Sequence, residues 1–330
     1  MKIAVDAMGG DFAPMEIVAG AYAAAQKQKD IFIILVGDKI KIEEQLQNKP
    51  QLANLNIFHA SQVIEMHEEA ALAYKQKKDS SIAVASRLVA EHKADAVVSA
   101  GSTGAQLVAG IFEIGRMKGV KRPAIITYLP TIKDDCLVID VGANADCKAE
   151  YLQQFAILGS AYAASVLGKE NPAVALLNIG SEEEKGNELY KETHKLLKKA
   201  PINFVGNIEG RQLLAGDVDV IVCDGFTGNV LLKTAEGVAM GILSILKTEL
   251  MSSALTKMGA MLAAPAFRKV KKKMDYKERG GAPLLGINGI SIICHGSSNS
   301  QAIENAIYLA EKCVRTKMIE KTIASLGKEA

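Results

Sequence analysis

Three stretches of this chain set glycine and small polar residues directly behind an apolar run. They are Gly101-Ser102-Thr103-Gly104, Gly225-Phe226-Thr227-Gly228-Asn229 and His295-Gly296-Ser297-Ser298-Asn299. Glycine lets the backbone take positive φ and approach a ligand closely. N–H groups that open a following helix then make an anion site, helped by the helix dipole. Ser, Thr and Asn before a helix also serve simply as caps, so one such turn says little. Several on one sheet point to a phosphate-type ligand. Lys233 lies four residues beyond Asn229, one helical turn away, where it can lean back toward a bound anion or stand as a solvated lysine. Arg122, before Pro123, is an anion clamp or an ordinary loop cation. Asp6, Asp140 and Asp224 each close an apolar run near glycine, with Asp11 and Asn144 in the turns that follow. Such residues shape turns, or act as acid, base or orienting groups. His59 and His295 also fall at the ends of apolar runs, and His295 is placed to donate to a phosphate.

The elements that carry these residues repeat one unit: a short apolar strand, a Gly-rich turn and an amphipathic helix. "KIAVDAMGGD", "ADAVVSAGSTGA", "LVIDVGANAD", "AVALLNIGSE", "VDVIVCDGFTGN" and "GISIICHGSS" are its instances, with further strands expected near residues 31, 57 and 125. Apolar runs of this length, rich in Val and Ile, are those of strands buried on both faces. Alternation with helices predicts a three-layer α/β/α sandwich around a largely parallel sheet. The 330 residues are read as a single α/β domain. In such a sheet ligands bind beyond the carboxyl ends of the strands, so the Gly-rich turns are expected along one sheet edge. Residues 94–105 and 218–229 also align without gaps, matching Asp95 to Asp219, Gly101 to Gly225, Thr103 to Thr227 and Gly104 to Gly228. Convergence explains this better than duplication, and either predicts two turns of similar geometry.

Several function classes fall away. No GxGxxG follows a strand, and "GSEEEKGNE" lacks the GK[ST] of a phosphate loop, as the chain lacks GxSxG and HExxH. Aromatic residues are 5%, Trp is absent and the formal charge is +2, which argues against nucleic acid as a partner. Cys136, Cys147, Cys223, Cys294 and Cys313 show no paired spacing, as expected of reduced thiols in a cytosolic protein without a zinc site. The first apolar run is broken by Asp6, unlike a signal peptide, and no uninterrupted apolar run reaches the roughly 18 residues of a membrane span.

Residues 240–276 read differently, being rich in Met, Leu and Ala with few β-branched residues. Between Arg268 and Arg279 seven basic residues face Asp275 and Glu278, a net +5, so the rest of the chain is near −3. A protruding helical hairpin is expected, making dimer contacts and attaching to an anionic membrane surface. Docking of an acidic carrier protein is the other use of such charge.

Together "VDAMGGDFAP", "SAGSTGA", "KRPA", "DVGAN", "CDGFTGN" with its downstream lysine, "GGAPLLG" and "HGSS" closely resemble the bacterial phosphate acyltransferases of phospholipid synthesis, the PlsX family. The motifs stand in the family's order from Val5 to Ser298. The resemblance implies a fold like that of phosphotransacetylase and isocitrate dehydrogenase, and usually a homodimer. It implies transfer of a long-chain acyl group from acyl carrier protein to inorganic phosphate, without a cofactor or metal. The acyl phosphate then passes to a membrane glycerol-3-phosphate acyltransferase, which places the protein in the cytoplasm and peripherally on the inner face of the membrane. Phosphate is already a nucleophile, so the site must hold it against the thioester and stabilise the oxyanion. For phosphate the candidates are Gly101, Ser102, Thr103, Gly104, Gly225, Thr227, Gly228 and Asn229 through their turns, with Lys233, Arg122 and Ser298. Asn144, Ser297 and His295 are candidates for orientation or the oxyanion. Asp140 or Asp224 accepts a proton or orients a cation. The alternatives are a short-chain phosphotransacetylase or dehydrogenase of the same fold, and a non-enzymatic membrane-surface scaffold.

Overall fold

The computed structural model describes residues 1–274 and 279–327; the side chains of Lys271, Lys272 and Met274, and Asp275, Lys277 and Glu278 altogether, lie outside the described residues. In the first part of the chain the strands are β1 (Lys2–Asp6), β2 (Phe32–Gly37), β3 (Leu55–His59), β4 (Ala96–Ser99), β5 (Ala124–Leu129) and β6 (Cys136–Ile139). Then follow β7 (Ala173–Asn178), β8 (Asn203–Glu209), β9 (Val220–Val222), β10 (Ala282–Leu285) and β11 (Ile290–Ile293). They form one sheet in the order β3-β2-β1-β4-β11-β10-β5-β6-β9-β7-β8. The strands expected near residues 31, 57 and 125 are β2, β3 and β5.

Pairing is parallel from β3 through β11, and again from β6 through β8. Between these blocks β10 pairs antiparallel with β11 and β5, and β5 antiparallel with β6. Two parallel blocks therefore run in opposite directions within a largely parallel sheet. This corrects the expectation that every Gly-rich turn leaves one edge. The turns after β1, β4 and β11 leave one end of the sheet, and those after β6 and β9 leave the other.

Period-2 alternation sorts the strand residues between two cores. Ile3 and Val5 pack with α1 (Met15–Lys27), while Ala4 turns to the opposite face. The short α2 (Lys39–Leu46) and α3 (Ala70–Gln76) lead to α4 (Ser81–Ala90), whose Ile82, Val84 and Leu88 cover the Ala4 face together with α5 (Thr103–Ala109). The first face is completed by α6 (Ala149–Val166) and α7 (Glu188–Leu197), and near the C-terminus by α10 (Ser300–Arg315) and α11 (Met318–Leu326). Phe155 and Tyr162 of α6 are the largest side chains sealed there.

Two helices remain, α8 (Gly225–Leu250) and α9 (Ala254–Met274). They pack on one another, and Lys273 Nζ donates to the carbonyls of Ile132 and Lys133 at 3.0 and 3.2 Å. Only the first turn of α8 is buried, and Met240, Met261 and Leu262 are 72%, 71% and 82% exposed. By length and composition α8 suffices to cross a bilayer, although Lys233, Glu236, Lys247 and Glu249 interrupt it.

Candidate functional site

Where the two blocks meet, the face of β5 and β10 is left uncovered between α5 and α8, and a cleft of about 310 Å³ opens over it. That volume is at the small end of ligand pockets. Ile125 and Thr127 of β5, Ala282 of β10 and Ile293 line its floor. One wall is Asp11, Gly101, Thr103, His295 and Gly296; the other is Val141, Asn229, Leu232, Lys233 and Glu236. The cleft thus gathers turns that leave opposite ends of the sheet.

The first wall is tied together by its backbone. Asp11 N–H donates to Gly296 O at 2.9 Å, and a Cβ on Gly9 would lie 2.8 Å from Gly101 N, so the turns after β1, β4 and β11 touch. Beneath them Asp6 is buried. Its Oδ2 accepts the Ser99 hydroxyl at 2.7 Å, and Ser99 Oγ accepts Gly101 N–H at 3.0 Å. Met8 N–H reaches Asp6 Oδ1 at 3.2 Å, while burial holds the Asp6 carboxyl above the usual carboxylate range. Ser102 caps α5 by accepting Ala105 N–H, and Gln106 of α5 donates to Ser291 Oγ and Ile292 O of β11, both at 2.9 Å. The N–H groups of Thr103 and Gly104 are among those an α-helix leaves without an intrahelical acceptor. Helical structure continues through a π-helical turn at Gly110–Ile114.

His295 follows β11 and is exposed to the cleft. Ser297 N–H donates to its Nδ1 at 3.1 Å, with Ser297 Oγ 2.8 Å from the same nitrogen. A nitrogen that accepts a backbone N–H carries no proton, so the neutral ring is protonated on Nε2. Ser298 is buried, and its N–H is held by His295 O at 2.9 Å.

The opposite wall is built by Asp140. Its Oδ1 accepts the N–H groups of Ile125, Gly142 and Ala143 at 3.0, 3.3 and 3.1 Å; its Oδ2 accepts Asn144 N–H at 2.8 Å and Asn144 Nδ2 at 2.9 Å. Burial pushes this carboxyl up as well, against the five donors. Asn144 Nδ2 also donates to Pro123 O at 2.7 Å, so both of its amide hydrogens are engaged. Asp140 and Asn144 therefore hold the turn rather than face the cleft.

The start of α8 rests on that turn. Asp224 caps it: Oδ1 accepts Thr227 N–H at 2.8 Å, and Oδ2 accepts Thr227 Oγ1 at 2.7 Å and the Tyr190 hydroxyl at 2.6 Å. Gly225 N–H donates to Asn144 O at 2.8 Å and Gly228 N–H to Asp224 O at 2.9 Å. A Cβ on Gly228 would lie 2.0 Å from Asp140 O, and one on Gly225 2.6 Å from Asn144 O. Glycine is required here by close packing. The N–H groups of Gly225, Thr227 and Gly228, expected to cradle phosphate, are committed within the fold.

The two aligned segments also differ in geometry, contrary to expectation. Asp95 and Asp219 do the same work: Asp95 Oδ2 accepts Lys2 N–H at 2.7 Å, and Asp219 Oδ2 accepts Ala173 N–H at 2.8 Å. Beyond the strands, α8 starts at Gly225 but α5 only at Thr103, two aligned positions later. Asp224 supplies a cap where Ala100 has none, so the first segment waits for Ser102.

Lys233 lines the cleft, half exposed, with Nζ 2.9 Å from Glu236 Oε2. Arg122 does not line it; its guanidinium lies 6.0 Å from the Tyr151 ring. His59 lies at the end of edge strand β3, with Nδ1 3.4 Å from Lys39 N. Cys223 and Cys294 are buried, and burial raises both thiols, that of Cys294 to about 12, so neither is an activated nucleophile. Among the described residues no cluster of His, Cys, Asp and Glu has metal-binding geometry. Sequence reasoning passed over Ser99, hidden inside an apolar run, and Arg279, merged with the basic cluster; Arg279 lines the cleft.

Residues 1–321 match the family model described as fatty acid synthesis protein. The chain is 54% identical over 322 residues to a phosphate acyltransferase of Desulfitobacterium hafniense, covering 97% of this chain and 96% of that one. It is 52% identical over 319 residues to a phosphate acyltransferase of Moorella thermoacetica, covering 97% and 94%. Among solved structures it resembles a phosphotransacetylase from Streptococcus pyogenes, with a TM-score of 0.64 at 17% identity over 96% of this chain and 94% of that one. The EutD phosphotransacetylase of Staphylococcus aureus gives a TM-score of 0.63 at 17% identity, over 94% and 93%. At such identities these likenesses speak for the fold.

Proposed function

This chain belongs to the fatty acid synthesis protein family, and from that membership we propose that it transfers a long-chain acyl group from the thioester of acyl carrier protein to inorganic phosphate. One observation carries the reading: a single cleft brings the α5 turn, His295 and Lys233 together over an apolar floor. It suits an anion lying beside an acyl chain.

Phosphate is held by the open N–H groups of Thr103 and Gly104 and by Lys233, which exchanges Glu236 for the ligand. A phosphate oxygen attacks the thioester carbonyl, and its π electrons move onto oxygen. His295, protonated on Nε2, donates to that oxyanion or to the phosphate, and Ser297 fixes the ring. Collapse breaks the C–S bond; the thiolate leaves and takes a proton from solvent, giving acyl phosphate and free carrier protein. No enzyme nucleophile is needed. Asp140, Asn144 and Asp224 position the α8 wall.

Peripheral attachment of the exposed α8 and α9 surface to an anionic membrane, and pairing of two copies through the same helices, complete the reading. The basic end of α9 suits the acidic carrier, and the product passes to a membrane glycerol-3-phosphate acyltransferase. The test is release of free carrier protein from acylated carrier protein. It must depend on added phosphate and yield acyl phosphate; equal release without phosphate overturns the reading. Lys233→Ala is expected to raise the KM for phosphate about tenfold, and an unchanged KM and kcat would remove Lys233 from the site.

A further inference from the structure

We infer that Arg279 is a second phosphate-binding cation of this cleft, held by Asp135 until phosphate enters; the inference rests on the proposed acyl transfer to phosphate. Arg279 lines the cleft beside Tyr128 and Gly281, and among the described residues it and Lys233 are the cations there. The cleft also holds the carboxylates Asp11 and Glu236. Lys233, already paired with Glu236, does not balance a phosphate dianion by itself. A guanidinium fork matches phosphate oxygens two at a time, which an ammonium cannot do.

The backbone that follows Arg279 is fixed by close packing. Gly280 and Gly281 take φ +83 and +103, a conformation in which a side chain is strained. A Cβ on Gly280 would lie 2.5 Å from Asn305 O, and one on Gly281 2.7 Å from Ile293 O. The segment is thus pressed against α10 and the last residue of β11, two residues before His295. This accounts for the glycine pair of "GGAPLLG", which the α8 and α5 turns leave unexplained. Arg279 Nη2 lies 2.6 Å from Asp135 Oδ2 and 2.8 Å from Oδ1. That pair is partly exposed, with side-chain exposures of 40% and 17%, so solvent screens it and weakens the competition it offers a bound dianion. Asp135 lies in the loop that Lys273 of α9 also grips, which keeps this carboxylate in place.

The test is calorimetric binding of inorganic phosphate to the full chain at matched ionic strength, with KM for phosphate and for acylated carrier protein measured beside it. Arg279→Ala is expected to weaken phosphate binding about tenfold or more, and Arg279→Lys by several-fold, with the KM for the acyl donor unchanged. Asp135→Asn, which removes the competing charge, is expected to tighten phosphate binding by several-fold. Wild-type affinity in the Arg279 variants overturns the inference, as does weaker binding in Asp135→Asn. Circular dichroism checks the fold, and Arg279→Lys serves if Arg279→Ala does not fold. The two readings fail separately. A wild type that binds phosphate but releases no carrier protein overturns the acyl transfer; a working wild type matched by Arg279→Ala in phosphate KM overturns only the role of Arg279.

Discussion

Asp6 and Asp140 close strands in opposite blocks of one sheet, and both are buried, yet they are held differently. Five N–H donors converge on both oxygens of Asp140, and the turn they form supports α8. Asp6 receives Met8 N–H and the Ser99 hydroxyl, with the Ser81 hydroxyl and Gly9 N–H also acting on it, and it reaches the cleft through Ser99 to Gly101 N–H. The Asp140 wall is a locked scaffold that carries its cation on a helix. The Asp6 wall is a relay that sets the direction of a turn.

The largest effect is expected at Asp140. Asp140→Asn sets an NH2 group against backbone donors and should cost about 3 kcal/mol, read as a lowered urea midpoint with most activity lost. A midpoint equal to the wild type would break the contrast. Gly228→Ala comes next, at about 2 kcal/mol, because the added methyl must displace Asp140 O or the helix. Gly101→Ala meets Ser99 Oγ at 3.2 Å, and Asp6 Oδ2 and the Gly9 Cα at 3.4 Å. It should cost about 1 kcal/mol or less while raising the KM for phosphate.

Asp6→Asn should cost about 1 kcal/mol near neutral pH and raise the KM for phosphate several-fold, leaving that for the acyl donor alone. Its pH dependence sharpens the comparison. Because burial raises the native carboxyl, the folded state binds the Asp6 proton more tightly than the unfolded chain does. The stability linked to that proton is complete below the ordinary value of 3.8 and is lost as pH rises through the higher folded value. Asp6→Asn removes this loss, so its stability deficit against the wild type should shrink as pH rises through that window. Parallel profiles would place the shift elsewhere. Ser99→Ala should show the smallest change, about 0.5–1 kcal/mol with a modest rise in phosphate KM.

The buried strands were legible because β1, β2, β4, β7 and β11 are runs of Val, Ile, Leu and Ala that suit a sheet covered on both faces. Strand direction was not, since an apolar run carries no arrow, and the reversal at β10, β5 and β6 moved half of the turns to the other end. β10 contains Pro283, which argues against an interior strand, and β8 holds Gly206 and mixes Phe204, Val205 and Ile208 with Asn203, Asn207 and Glu209. The turn residues were visible by type. Which of their N–H groups stay open depends on Asn144 O and on the Asp224 carbonyl and carboxylate, contacts between segments far apart in sequence or set by the exact start of a helix. Arg279 was hidden by its neighbours, since six other cations within twelve residues make a cluster look like a solvated face.

The single helix α8 carries Asn229 and Lys233 at one end and the exposed Met240, Ile242 and Ile245 farther out. At 1.5 Å per residue its outer end lies about 26 Å beyond Lys233. Its buried residues, Gly225 and Gly228, bear on the Asp140 turn, so one unbroken rod joins the cleft to an apolar surface standing well away from the sheet.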